Sequence, residues 1–129
     1  MGLYNFQSRF VPFILDGRKM HTIRARRARS DKPGSILHLY TGLRTKKAKL
    51  LLRVTCTRVE EIEILNGIFG DENHASVTID GQTLDRSERE MLAQRDGFSN
   101  FEDMIAFWNG RLPFRGHIIH WKFQDLKES

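Results

Sequence analysis

The sequence predicts a small α+β domain built around a curved sheet. Three observations carry that expectation. The 129 residues suffice for one hydrophobic core and read as a single domain over 1–129. Apolar residues alternate with period two through most of the chain and take helical spacing in short stretches. Glycine, proline and an Asp-Gly pair cut the chain into pieces of element length.

Taken in order, residues 9–16 predict a short helix. Phe10, Phe13 and Ile14 share a face there, Pro12 fits only a first turn, and Gly17 supplies the stop. Residues 19–24 predict a loop running into a strand, with β-branched Thr22 and Ile23. Lys32-Pro33-Gly34 is a turn. Residues 36–41 then form a strand with Ile36, His38 and Tyr40 on one face and Leu37 and Leu39 on the other. Residues 48–64 predict a long strand, apolar on both faces over 50–52. Asp80-Gly81 between two β-rich triplets predicts a hairpin.

Two helices follow. Asp85 and Glu88 have capping spacing, and Gly97 ends the first helix. Ser99 and Glu102 have the same spacing before Met104, Ile105 and Trp108, and Gly110 ends the second. Residues 116–123 predict a last strand with Ile119, Trp121 and Phe123 on one face. Short helix, strands, two helices and a strand make an α+β domain with flanking short helices.

Charge is unevenly distributed. The net charge is +5, but residues 1–58 carry +12 and residues 59–129 carry −7. Arg24, Arg26, Arg27, Arg29 and Lys32 are a dense cluster with only Asp31 among them, so a polyanion is an expected partner. The competing reading is mutual neutralisation of the two halves on folding. No apolar run approaches a membrane span, and residues 1–10 lack the order of a secretory signal. The single cysteine, Cys56, permits no internal disulfide and fits a reducing cytoplasm. No glycine-rich phosphate loop, metal-ligand spacing or other cofactor motif is present: His117 and His120 would point to opposite faces of one strand.

The segment with chemical content is 17–24. It packs Arg18, Lys19, Thr22 and Arg24 where a helix ends and a strand begins. A desolvated lysine beside other cations loses its proton more readily and can serve as a base toward a nearby hydroxyl. The plain alternative is a solvated basic loop, with Thr22 chosen for strand propensity. His21 is expected as an exposed loop histidine rather than a proton carrier. Cys56, Phe101, Met104, Ile105 and Trp108 read as core. Tyr40, Trp121 and Phe114 are the candidates for stacking on a base.

The stretch Phe10-Val11-Pro12-Phe13-Ile14-Leu15-Asp16-Gly17-Arg18-Lys19-Met20-His21-Thr22-Ile23-Arg24 resembles the opening of ASCH-domain proteins, with their Gly-x-Lys-x-x-Thr-x-Arg pattern. Lys32-Pro33-Gly34-Ser35-Ile36-Leu37, the run from Ala93 to Ser99, and the closing Ile118-Ile119-His120-Trp121-Lys122-Phe123 resemble later segments of the same family. The resemblance implies a PUA-like small curved β-barrel whose cleft takes RNA or a modified nucleoside. Some small bacterial members remove the acetyl group from N4-acetylcytidine with a lysine, a threonine and a glutamate. Carried over, these are Lys19, Thr22 and Asp96, so aspartate stands where the family has glutamate. The shorter side chain is expected to withdraw the carboxylate by about an ångström, enough to cost rate. Compared with those enzymes the chain has extra residues near 66–84. Three readings follow: an amidohydrolase for N4-acylated cytidine, a non-catalytic single-stranded RNA-binding module, and a ribonuclease in the same cleft. Arg18, Arg24, Arg26, Arg27, Arg29, Lys32 and Tyr40 are the expected nucleic-acid contacts.

Overall fold

A computed structural model describes residues 2–27, 31–65 and 75–122. The strands are β1 (Gly2–Phe6), β2 (His21–Ala25), β3 (Ile36–Thr41), β4 (Lys49–Leu65), β5 (Ser76–Ile79), β6 (Gln82–Thr83) and β7 (Phe114–Trp121). The helices are α1 (Val11–Leu15), α2 (Arg86–Arg95) and α3 (Phe101–Phe107). The protein is mixed α+β, and its seven-stranded sheet is strongly curled.

β4 makes the curl. Its first half pairs with β3 and its second half with β7 on one side and β5 on the other, all antiparallel. A 17-residue strand shared in this way belongs to two turns of the sheet, and a register shift between Cys56 and Arg58 marks the bend. β2 extends the sheet beyond β7, and β1 extends it beyond β3. Among the described residues β1 pairs only with β3 and β2 only with β7, so each presents an open edge.

Most predicted elements form, with corrections. The N-terminal strand β1 was not expected from the sequence. It lies parallel to β3 and buries Tyr4 and Phe6. Parallel pairing needs a distant partner, which local periodicity cannot reveal. The helix expected over 9–16 is a 3-10 turn at Ser8–Phe10 followed by α1. Phe10 and Ile14 are buried, but Phe13 is only half-buried, under the Arg18 guanidinium. α2 carries the full Asp85–Glu88 capping box. α3 is capped by Asn100, which accepts from the Asp103 amide; Ser99, the expected cap, lies one residue too early. β7 begins at Phe114 rather than 116 because the chain already extends there to pair with Ile64. Phe123 and residues 66–74 fall outside the described residues. Asp80 and Gly81, with φ of 48° and 83°, make the tight turn between β5 and β6.

The core lies inside the curl and under α2 and α3. Leu37, Leu39, Val54, Ile64, Val77 and Ile118 supply its sheet side, and Met104 and Ile105 its helical side. Among the described residues no helix is long and apolar enough to cross a membrane.

Candidate functional site

A cavity of about 460 Å³ is lined by two open edges of the sheet: Asn5, Phe6 and Gln7 from the end of β1, and Thr22 to Ala25 from β2. Lys19, Asp96, Phe10 and Phe98 line it as well, and Phe107, Trp108, Arg111 and Phe114 complete the wall. Such a size and apolar lining, with a few convergent polar groups, suits a small planar ligand.

Lys19, Thr22 and Asp96 therefore meet at one cavity. Each is at most 5% exposed, which is rare for a lysine or an aspartate unless paired. The pairing is direct. Lys19 Nζ donates to Asp96 Oδ1 at 2.7 Å and to the Asp96 main-chain carbonyl at 2.7 Å. Asp96 caps the C-terminus of α2, where the last carbonyls lack helical partners and favour a cation. Gly97 makes this possible. It takes φ of 98°, and a Cβ there would come within 2.9 Å of the Phe10 ring. The expected shortfall of aspartate does not arise, because the helix end itself is brought up to the lysine.

The electrostatics follow from burial. Desolvation pushes the Lys19 ammonium down, Asp96 opposes the fall, and the like charge of Arg24 adds to it. Burial alone would raise the Asp96 carboxyl. The charge of Lys19, with His21 beside it, outweighs burial and holds it below the ordinary aspartate value. The Lys19 Nζ also sits 5.0 Å from the centre of the Phe10 ring and 5.7 Å from that of Phe6, so aromatic faces replace water around it.

The Thr22 hydroxyl has a different partner from the one its spacing suggests. It accepts a hydrogen bond from Arg24 Nε at 3.0 Å, and among the described residues no hydrogen bond joins it to Lys19. Arg24 in turn reaches across the gap between the edge strands, donating from Nη2 to the Asn5 carbonyl at 2.6 Å, with its guanidinium 4.9 Å from the Phe6 ring centre.

The other expected contact residues are dispersed. Arg18 does not face this cavity: it is held by Asp16 at 2.6 Å and lines a second one. Arg26 pairs with Glu61 at 3.3 Å, so the acidic half does neutralise part of the basic cluster. Arg27 lies 4.2 Å from the Tyr4 ring centre and donates to the Leu3 carbonyl, and Lys32 is exposed. Arg29 falls outside the described residues. Tyr40 is half-buried on β3 and lines neither cavity. Of the proposed stacking rings, Phe114 lines the first cavity with its ring 4.3 Å from Trp108, whereas Trp121 is buried against Phe6.

Two residues were misjudged or missed. His21 is not an exposed loop residue: it is 5% exposed, and its Nε2 lies 3.2 Å from Asp96 Oδ1. Among the described residues Nε2 has no hydrogen-bond partner, so this is a close polar contact rather than a hydrogen bond. Arg111 was not singled out. It stacks on Trp108 at 4.8 Å and gives the first cavity another cation. Only its position after the aromatic-rich α3 could have drawn attention to it.

Compared with family models, with curated proteins and with solved structures, the chain matches none of them.

Proposed function

We propose that the chain is an ASCH-type protein with a PUA-like barrel, and that it hydrolyses the N4-acyl amide of acylated cytidine in the first cavity. The observation that carries this reading is the buried Lys19–Asp96 pair on the same cavity wall as Thr22. Burial and the nearby Arg24 both favour neutral Lys19, the form that can take a proton. Thr22 Oγ1 attacks the acyl carbon while its proton passes to Lys19 Nζ. Arg24 Nε, at 3.0 Å from Thr22 Oγ1, holds that hydroxyl in place, and the charge that develops goes to the former carbonyl oxygen of the acyl group. Asp96 holds the lysine in place through two contacts. The transfer requires Lys19 to turn from Asp96 toward Thr22, the kind of tightening that bound substrate induces. The aromatic walls accept the flat cytosine ring.

A second reading is a non-catalytic RNA-binding module. It is favoured by the bond of Thr22 to Arg24, which leaves the hydroxyl unconnected to a base. Incubation with N4-acetylcytidine and with single-stranded RNA, followed by product analysis, separates the two. Under the amidohydrolase reading, Lys19→Arg abolishes turnover while RNA binding persists, since arginine keeps the charge but not the basicity. Wild-type protein that binds RNA but releases no acetate supports the module and sinks the enzyme.

A further inference from the structure

On the far side of β2 from the first cavity lies a second, of about 780 Å³. His21, Met20, Glu60, Arg95 and His120 are among its lining residues. His21, which lines the second cavity, reaches Asp96, which lines the first. His21 Nε2 is 3.2 Å from Asp96 Oδ1, and Asp96 lines the first cavity. The His21 and His120 ring centres are 5.3 Å apart, as their opposite positions on β2 and β7 require. His120 Nε2 is bonded to Glu60 Oε1 at 2.5 Å, and Arg58 approaches the same oxygen at 3.4 Å. Lys19, Asp96, His21, His120 and Glu60 thus lie in succession between the cavities, hydrogen-bonded at the two ends (Lys19 to Asp96, His120 to Glu60) and in close contact without hydrogen bonds through His21, whose ring must turn to carry a proton.

The proposed reaction gives that succession a task. Hydrolysis of an amide consumes one water. When Thr22 attacks, its proton goes to Lys19 and then to N4 as the carbon–nitrogen bond breaks. Water next attacks the acyl-threonine, its proton passing to Lys19 while the carbon–oxygen bond breaks and Thr22 regains a proton. At neutral pH the acid leaves as carboxylate, and the exocyclic amine of cytosine stays unprotonated. Each turnover therefore leaves one proton in a pocket whose base is at most 3% exposed. Lys19 must lose it before the next cycle, and bound ligand plugs the direct way out.

We infer that His21 and His120 pass this proton from the Lys19–Asp96 pair to the second cavity, so that substrate enters on one side of β2 and the proton leaves on the other. The inference rests on the proposed amide hydrolysis. His21 acts through Asp96 and is a positioning residue, not a group that touches substrate. Imidazole suits the task because its two nitrogens can face opposite sides of a wall. The groups facing it are Lys19 and Asp96 from the first cavity, His120 from β7, and Glu60 with Arg58 from β4. Burial keeps His120 below the ordinary histidine value, with the Glu60 bond opposing, so a proton that reaches it is readily passed on. Trp121 Nε1, buried without a partner beside this cavity, adds no competing acceptor.

The test is chemical rescue. In dilute buffer, His120→Ala should lower turnover of N4-acetylcytidine on the order of 10²-fold, the low end of what a placed proton-transfer group contributes. Added imidazole should restore it saturably, because the second cavity admits a ring of that size. Thr22→Ala should not be rescued. Undiminished turnover in His120→Ala, or a loss that imidazole leaves untouched, overturns the relay. Should wild-type protein fail to hydrolyse the amide, the proposed reaction falls, and nitrogen-15 titration of the imidazoles judges the relay alone. Coupled, two-step titration of His21 and His120, with the second step removed in His120→Gln, supports it. Independent single-step curves overturn it.

Discussion

Lys19 Nζ is bound to Asp96 twice, through the carboxylate and through the main-chain carbonyl at the end of α2. The pair joins a loop to a helix terminus 77 positions away, and both side chains are almost fully buried. Removing one partner leaves a charge without compensation. Asp96→Ala should therefore cost about 3–5 kcal/mol of stability, read as a shift in urea midpoint without change in slope. A loss below about 1 kcal/mol would mean that water reaches Lys19 and that the pair behaves as an exposed one.

Asp96 also predicts an acid limb. Its folded value lies below the ordinary 3.8, so its contribution to stability is complete above that value. It is lost as pH falls through the lowered folded value. Lys19 is likewise lowered on folding, so its effect also raises stability with pH, but in the window between its folded value and 10.5. Urea midpoints across both windows should rise with pH, and Asp96→Asn should flatten the acid limb. An acid limb unchanged in that variant would assign it to other carboxylates.

Single-stranded RNA affinity should fall steeply with salt, by about 0.7 logarithmic units per phosphate neutralised. Lys32→Ala should lower that slope. Arg26→Ala should lower it less, because Arg26 is already paired with Glu61. Filter binding over a salt series measures this. An affinity that does not change between low and physiological salt would remove the basic cluster as a nucleic-acid surface.

Gly97→Ala should destabilise by about 1–3 kcal/mol, from a left-handed backbone together with crowding of Phe10. The new methyl would also stand 3.5 Å from Lys19 Cδ, so ligand affinity in the first cavity should drop further than stability alone explains. Gly110→Ala is the comparison: its φ is 81°, yet nothing lies within 4 Å. Equal losses of ligand affinity in the two variants would show that Gly97 has no special bearing on the site.

Where local pattern decides structure, the sequence was legible. The β5–β6 turn follows from Asp80-Gly81, the start of α2 from Asp85 and Glu88, and β4 from its long β-rich run. β1 was not legible, since Gly-Leu-Tyr-Asn-Phe has no β-branched residue and its partner is 35 positions away. The candidate site divides the same way. Lys19 and Thr22 stood out as neighbours, but Asp96 was reached only through a resemblance, because no periodicity connects a helix end to a loop 77 positions back. His21 was misread for the same reason: its burial comes from Asp96 and His120, which only the folded sheet brings against it.

The sharing of β4 among three partners sets the order in which the molecule can be assembled. Pairing with β3 and β5 closes short connections and can form early. β7 must then travel back to lie against the second half of β4, and only afterwards does β2 acquire a partner, with His21 opposite His120. Lys19 precedes β2 by two residues and Asp96 lies between β4 and β7, so their contact also bridges distant parts of the chain. The contact that makes the candidate site is thus a long-range one, 77 positions apart. Closing contacts of that separation costs loop entropy before the contacts repay it, so the pocket is formed by the part of the fold that is slowest to close.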